Sequence, residues 1–161
     1  MGWGLMAEPN PEELFNLGML SYDKQDFSKA RKYFEKACDL NISGGCGALG
    51  VLYYNGEGVE KNLTKAFCFY SKACDLNNGS GCGGLGFLYG SGKGVEKNLI
   101  KAAYLYSRAC ELKDGWGCSF LEVLYYNGDG VKQDSKKAVA LFEKACKLGY
   151  KKACEMLKEL R

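Results

Sequence analysis

Four regularly spaced pairs of cysteines constrain the fold of this chain more than any other feature. The pairs are Cys38 and Cys46, Cys74 and Cys82, Cys110 and Cys118, and Cys146 and Cys154. The two cysteines of a pair are eight residues apart, and each pair begins 36 residues after the previous one. A constant period in this range is typical of proteins built from stacked repeats. The 161 residues are therefore predicted to form an array of similar units.

The link within each pair is short, and its second half is rich in small residues such as Ser43, Gly44 and Gly45. Such a link allows two antiparallel helices to approach within the distance of a disulfide. Closing a nine-residue loop stabilises a fold by about 2–3 kcal/mol in the chain-entropy model. An oxidising compartment, either the periplasm or the exterior of the cell, follows from this interpretation. The predicted disulfides are Cys38–Cys46, Cys74–Cys82, Cys110–Cys118 and Cys146–Cys154.

The composition argues against several classes of function. The chain has no histidine and its cysteine spacing is unlike that of zinc sites, so no metal and no cofactor is predicted. The net charge of +3 is small and evenly spread, which argues against binding to nucleic acid. No stretch has the length that a membrane span requires. Residues 1–7 are interpreted as the remnant of a leader peptide or as a disordered N-terminus.

Helix signals divide the rest of the chain into hairpins. Asn10 and Pro11 are typical of a helix start, and Asp26 is placed to cap the second helix. In the later units a Gly-x-Gly-Val turn is followed by an Asx cap and then by Lys-Ala. A polar helix at the end of the chain is typical of the closing element of a solenoid. We predict a single solenoid over residues 8–161, with hairpins at about 10–40, 43–76, 79–112 and 115–148 and a capping helix at 150–161.

The pattern of these hairpins resembles a known family. The spacing of Leu17, Gly18, Ala30, Phe34 and Ala37 is similar to the tetratricopeptide pattern, and the longer turns resemble its Sel1-like branch. With the cysteine pairs added, the chain resembles the Helicobacter cysteine-rich proteins. The resemblance implies an all-α fold, a right-handed α-α superhelix (solenoid) of disulfide-clipped Sel1-like hairpins. It also implies a secreted or periplasmic protein that binds penicillin-type β-lactams and hydrolyses them slowly.

The resemblance also implies where a ligand binds. In tetratricopeptide-like hairpins the first helix of each unit faces the concave surface, and its groove positions are carried across residue by residue. Aromatic side chains offer contact area and amides bond to an extended backbone, so a groove of this kind suits a peptide or a peptide-like ligand. A β-lactam as the ligand is what the resemblance implies. The alternative is that these aromatic residues pack between neighbouring units. The predicted groove residues are Phe15, Met19, Tyr22, Val51, Tyr54, Asn55, Phe87, Trp116, Val123, Tyr126 and Asn127.

The chain lacks the motif set of the serine β-lactamases, so the nucleophile is unassigned. Ser21-Tyr-Asp-Lys24 matches Ser-x-x-Lys, but Ser-Asp-Asn and Lys-Thr-Gly are absent from the sequence, and we interpret the match as chance. Glu122 stands where the earlier units have glycine, and it either splays the fourth hairpin or reaches solvent or a lysine. Near Trp116 and Ser119, the same carboxylate is also a candidate general base.

Cys68 is left unpaired by this scheme. Its counterparts in the repeat are Lys32, Tyr104 and Ala140, so we expect a partly exposed thiol. It is interpreted as a free surface thiol, as the link of a dimer of otherwise monomeric chains, or as a site of redox or acyl chemistry. Two functions stay open: binding and slow hydrolysis of β-lactams, or a non-catalytic module whose groove holds a protein, a peptide or a cell-wall fragment.

Overall fold

The protein is a stack of helical hairpins. The computed structural model describes residues 9–160, and the predicted leader remnant at residues 1–7 lies outside them. All the secondary structure in this range is helical, as predicted, and consecutive helices pack against each other along the stack. The helices are α1 (Pro11–Asp23), α2 (Phe27–Asp39), α3 (Ser43–Asn55), α4 (Leu63–Asp75), α5 (Gly79–Ser91), α6 (Leu99–Glu111), α7 (Gly115–Asn127), α8 (Ser135–Lys147) and α9 (Lys151–Leu160). Each described helix is too short or too polar to cross a lipid bilayer.

The same contacts hold the long turns of the second, third and fourth hairpins. The Asn62 backbone N–H donates to the Tyr53 carbonyl (2.9 Å), and the Asn62 side chain accepts from the backbone N–H of Lys65 (3.0 Å). The Lys65 ammonium then lies 5.2 Å from the centroid of the Tyr53 ring. A cap and a cation–π contact thus fix the start of each second helix. The equivalent residues are Asn98, Lys101 and Tyr89, and Asp134, Lys137 and Tyr125.

All four predicted disulfides are present, and each joins the second helix of a hairpin to the helix that follows. In the first three copies the residue before the second cysteine is a glycine, such as Gly81. A β-carbon at Gly81 would lie 2.5 Å from that of Ala73, closer than real β-carbons approach. Glycine therefore allows the two helices to approach. The small residues predicted to form a link instead begin α3, α5 and α7.

Within a hairpin, a glycine of the first helix faces an aromatic ring of the second. A β-carbon at these glycines would lie only 2.5–2.9 Å from ring atoms, so each ring packs directly over the helix backbone. The fourth hairpin departs from this rule, because Glu122 takes the glycine position opposite Phe142. The regular pairs are Gly18 with Phe34, Gly50 with Tyr70 and Gly86 with Tyr106.

Candidate functional site

The first helices of the hairpins line one side of the solenoid. Each of α1, α3 and α5 contacts the next odd-numbered helix, which places these helices on the inner, concave side. Two cavities of about 360 and 350 Å³ open along this side. Because they share Tyr70, Ser80 and Gly84, they form one continuous depression, which we call the groove.

Seven of the predicted residues line the groove. Phe15, Met19, Tyr22 and Val51 lie in the first cavity, and Tyr54, Phe87 and Trp116 lie in the second. The rings also pack on one another, as the alternative interpretation expected: Tyr54 and Phe87, for example, have centroids 6.0 Å apart.

Four predicted residues lie outside the groove. Val123 and Tyr126 line a third cavity between α7, α8 and α9. Asn55 lies in neither cavity of the groove, and its side-chain amide donates to a Glu57 carboxylate oxygen at 2.8 Å. Asn127 likewise lines none of these three cavities. The amides expected to bond to a ligand backbone are therefore not groove residues in this structure.

Tyr70 forms the floor where the two cavities meet, and the sequence interpretation did not assign it. Its ring would lie within 2.5–2.7 Å of β-carbons at Gly50 and Gly84, so glycine at both positions lets a side chain of the outer helix α4 reach the inner surface. Burial, with a contribution from the nearby Tyr54, raises the pKa of Tyr70 to about 12. The signal in the sequence was a hydroxyl at this repeat position, where the first hairpin has Phe34.

Opposite charges lie at the rims of the two cavities. At the second cavity, the Lys93 ammonium donates to the Tyr54 hydroxyl at 3.0 Å, and the Lys61 ammonium lies 5.7 Å from the Tyr54 ring centroid. At the first cavity, a Glu57 carboxylate oxygen accepts from the Tyr22 hydroxyl at 3.1 Å. Burial, followed by the effect of Glu57, raises the pKa of Tyr22. The edge of the second cavity at Tyr54 is thus cationic, although Asp114 also lines that cavity, and the edge of the first cavity at Tyr22 is anionic.

Trp116 forms the exposed wall of the second cavity. Its side chain is 56% exposed, and its ring centroid lies 4.6 Å from that of Tyr150 and 5.9 Å from that of Phe120. Asp114 lines the same cavity; burial raises the pKa of its carboxyl, and the backbone N–H groups of Gly117 and Trp116 oppose that shift. An exposed indole held by two rings offers a large contact surface at a small cost in side-chain entropy.

Glu122 has no lysine partner among residues 9–160, and its contact with solvent is small. The residue is 4% exposed, and its carboxyl has no hydrogen bond or ion pair with the described residues. It borders the third cavity, together with Phe142 of α8. Burial raises the pKa of Glu122 to about 7.

Ser119 lies one turn before Glu122 and is also buried. It stands at the repeat position of Gly83, against which the Asp114 side chain packs. The residue that follows Asp114 by one repeat is Tyr150, so the fourth unit lacks the polar partner. As a result, the Ser119 hydroxyl has no hydrogen-bond partner in the described part of the chain.

The other catalytic candidates lie apart from this pair. The Ser21 hydroxyl donates to the Leu17 carbonyl at 2.9 Å in the first hairpin, and this bond occupies its proton. Cys68 is a free thiol, exposed on the outer helix α4 as the repeat register predicted. None of the hydrogen bonds between described residues joins Ser21, Ser119 or Cys68 to a side chain that can act as a base.

Comparison with family models gives two matches. The Sel1 repeat matches residues 45–78, 80–114 and 117–150, which together make up more than half of the chain. The tetratricopeptide repeat matches residues 11–42, the hairpin with the short turn.

The chain is also similar to proteins of Helicobacter pylori. It is 67% identical to HcpC over 60 residues, which are 37% of this chain and 21% of HcpC. It is 53% identical to the beta-lactamase HcpA over 60 residues, which are 37% of this chain and 24% of HcpA. The matched segment thus spans between a fifth and a quarter of the length of these relatives.

Two solved structures share the fold. The Helicobacter pylori cysteine rich protein B is 46% identical, with a TM-score of 0.67, and the match covers 82% of this chain and 95% of that protein. A Sel1 repeat protein from Oxalobacter formigenes is 28% identical, with a TM-score of 0.83, over 94% of this chain and 63% of that protein. The predicted resemblance is therefore confirmed.

Proposed function

The chain belongs to the Sel1 repeat family, in the group of the Helicobacter cysteine-rich proteins, and from this premise we propose that it binds peptide-like carboxylates. The ligand lies in the groove, with apolar side chains between the aromatic rings and its carboxylate at the rim of the second cavity. The observation that carries the proposal is the position of Lys61 and Lys93 beside Tyr54, at the edge of an aromatic cavity.

The walls of the second cavity suit an apolar side chain. Tyr54, Phe87 and Trp116 come from three successive hairpins, and Phe120 and Tyr70 complete the lining. A concave, mostly aromatic surface with a few polar groups at its edge is typical of sites for small or extended ligands. Aromatic rings also supply contact area without losing much side-chain freedom on binding.

The two lysines favour a carboxylate over a neutral end group. The Lys93 ammonium is 5.5 Å from the Tyr54 centroid and 5.4 Å from the Phe87 centroid, so it lies beside two rings of the cavity lining. A carboxylate placed there gains charge-assisted hydrogen bonds. Glu57, at the first cavity, favours hydrogen-bond donors or a positive group at the other end of the ligand. The two rims therefore also set the direction in which the ligand lies.

Replacing Trp116 by alanine is expected to weaken binding by about 1 kcal/mol or more, roughly a fivefold rise in Kd, because an exposed aromatic anchor is lost. The measurement is calorimetric titration of the oxidised protein with acetylated tetrapeptides that have a free C-terminus, and with benzylpenicillin. Tyr104→Ala is the matched control, since Tyr104 is 68% exposed on the outer helix α6.

The same titration separates the parts of the proposal. An unchanged affinity in Trp116→Ala would remove Trp116 from the site. Peptides whose C-terminus is amidated should bind more weakly than the free acids. Equal affinities for acid and amide would contradict the role given to Lys61 and Lys93.

Slow β-lactam hydrolysis is a second candidate function. It is supported by the name of HcpA. The candidate nucleophile is Ser119, whose hydroxyl has no hydrogen-bond partner among the described residues, but this hydroxyl is buried and lines none of the three cavities, so a β-lactam would reach it only after a local opening of α7. In the described residues no base is bonded to this hydroxyl, so any rate is expected to be low compared with that of an activated serine.

The test of the second candidate is the rate of benzylpenicillin hydrolysis by the oxidised protein, compared with buffer and with the reduced protein. Ser119→Ala should keep the fold, because it removes a buried hydroxyl that has no partner among residues 9–160. A rate above buffer that is lost in Ser119→Ala supports Ser119 as the nucleophile. A rate equal to buffer leaves ligand binding as the function.

We place this activity outside the cytoplasm. Four disulfides in a short array are typical of proteins that fold in an oxidising compartment. Secretion or periplasmic location, and a dimer through Cys68, remain predictions. Detection of the oxidised protein in the periplasmic or culture fraction tests the location. Non-reducing gel filtration, with Cys68→Ser as the control, tests the dimer.

A further inference from the structure

The third cavity is separate from the groove and has a different chemistry. It has a volume of about 500 Å³, within the range of small-ligand sites, and lies between α7, α8 and α9. Its walls include four partly exposed apolar side chains: Val123, Tyr126, Val139 and Met156.

The cavity lies where the fourth hairpin departs from the repeat. In the earlier hairpins a glycine allows the facing ring to pack over the first helix, but the Glu122 side chain holds this space opposite Phe142. At the position where the fourth hairpin has Phe120, which stacks on Tyr106 at 5.1 Å, α9 has Met156, which is 40% exposed. Neither aromatic packing nor a glycine contact closes this end of the stack.

The Glu122 carboxyl is the buried polar group of this cavity. It is 4% exposed, and no described residue donates a hydrogen bond to it or pairs with it. Buried carboxyl groups in proteins are normally hydrogen-bonded or paired with a cation. An unpartnered carboxyl that borders an apolar cavity is therefore a position where a ligand can supply the missing partner.

We propose that this cavity binds small organic ammonium ions that carry an apolar body. The ammonium group pairs with the Glu122 carboxylate, and the hydrocarbon part fills the space between Val123, Val139 and Met156. The charge of the lining favours a cationic ligand over an anionic or neutral one. Glu122 of α7 and Glu159 of α9 both line the cavity, and none of its described lining residues is Lys or Arg. Tyr126 adds an aromatic face, which also favours a cation.

The ionisation of the site makes binding depend on pH. Burial raises the pKa of Glu122 to about 7. The pKa of an alkylammonium is about 10, like that of lysine, so the ligand stays charged throughout the range in which Glu122 ionises. Glu159 is the other titratable carboxyl of the lining, and the lining residues of α8 are uncharged. Binding should therefore strengthen between pH 5 and pH 8. At pH 6 it should also release close to one proton, because pairing ionises Glu122.

The test is calorimetric titration of the oxidised protein with hexylammonium chloride and, separately, with 1-hexanol. At pH 8 hexylammonium is expected to bind about tenfold more tightly than the alcohol, because it forms a charge-assisted pair in a desolvated site. Proton release at pH 6 is measured by repeating the titration in buffers of different ionisation enthalpy.

Glu122→Gln tests the carboxylate, and Glu155→Gln, an exposed residue of α9 outside the lining, is the matched control. The expected result is a loss of about tenfold in hexylammonium affinity and of proton release in Glu122→Gln, with 1-hexanol binding and Glu155→Gln unaffected. Equal affinities for the amine and the alcohol, an unchanged affinity in Glu122→Gln, or no saturable binding would overturn the proposal. Circular dichroism of each variant establishes that it is folded.

Discussion

Replacing Cys74 and Cys82 by alanine is expected to lower the free energy of unfolding of the whole array by about 2–3 kcal/mol. The same change at Cys146 and Cys154 is expected to loosen α9 alone. Both disulfides close loops with a sequence separation of 8, so their chain-entropy contributions are equal. Their positions differ, because the first joins α4 to α5 in the middle of the stack and the second joins α8 to the terminal helix. In a solenoid each unit is stabilised by its contacts with neighbouring units. Loss of the central disulfide therefore destabilises more units than loss of the terminal disulfide.

The measurements are urea unfolding of the oxidised proteins and amide hydrogen exchange, both in a Cys68→Ser background that prevents thiol exchange. In the Cys146 and Cys154 variant, exchange in α9 should accelerate by about 30- to 150-fold, with the amides of α1–α6 unchanged. Equal losses of global stability in the two variants would show that α9 is part of the cooperative unit. No loss in the central variant would contradict the entropic account.

The regular part of the fold was predictable because its signals are local and recur in phase. The caps at Asn62, Asn98 and Asp134 are observed with the predicted hydrogen bonds. Each cap is a short-range interaction between neighbours in sequence. Its recurrence in three copies at one period identifies the start of each second helix. The cysteine pairs were informative for the same reason, since eight residues connect the two partners.

The floor of the groove was not predictable in the same way. The tetratricopeptide resemblance assigns ligand contacts to the first helices, whereas Tyr70 belongs to a second helix. Tyr70 reaches the groove through gaps at Gly50 and Gly84, which lie in two different hairpins. A contact of this kind depends on how far neighbouring units are rotated, and sequence spacing does not record that rotation.

Asn55 shows how a local hydrogen bond can hold a side chain away from the groove cavities. Asn55 was assigned to the groove by its repeat position, but its side chain donates to Glu57 two residues later. An Asn at the end of a helix often bonds to a neighbour in the following turn. The repeat position alone therefore does not determine where the Asn55 side chain lies.

Glu122 was recognised in the sequence as a departure from the repeat, but its burial depends on tertiary packing. The third cavity, which it borders, is also lined by Met156 and Glu159 of α9, more than 30 residues later in the chain. From the repeat alone, splaying of the hairpin, contact with solvent and a lysine partner were all possible. The structure shows a buried carboxyl that makes no hydrogen bond or ion pair with residues 9–160.

Glu122→Gln is expected to stabilise the protein at pH 8 and to have little effect near pH 4. Burial raises the pKa of Glu122 from its ordinary value of 4.5 to about 7, so the neutral acid is the form that the fold favours. The stability contributed by this group is complete below pH 4.5 and is lost as the pH rises through 7, because ionisation then occurs in a desolvated site. The expected gain at pH 8 is about 2–3 kcal/mol, since each unit of pKa corresponds to about 1.36 kcal/mol and the cavity leaves the carboxyl some contact with water.

The measurement is urea unfolding of the oxidised wild-type and variant proteins at pH 4 and pH 8, and the informative quantity is their difference at each pH. Taking the difference between variant and wild type cancels the contribution of the other titrating groups to the free energy of unfolding. The control Glu155→Gln, on the exposed side of α9, should have the same stability as the wild type at both pH values. A gain of the same size at both values would mean that the amide stabilises through packing. A loss at pH 8 would mean that the carboxylate has a cationic partner in solution, and Glu122 would then belong to a structural ion pair and not to a site for an ammonium ligand.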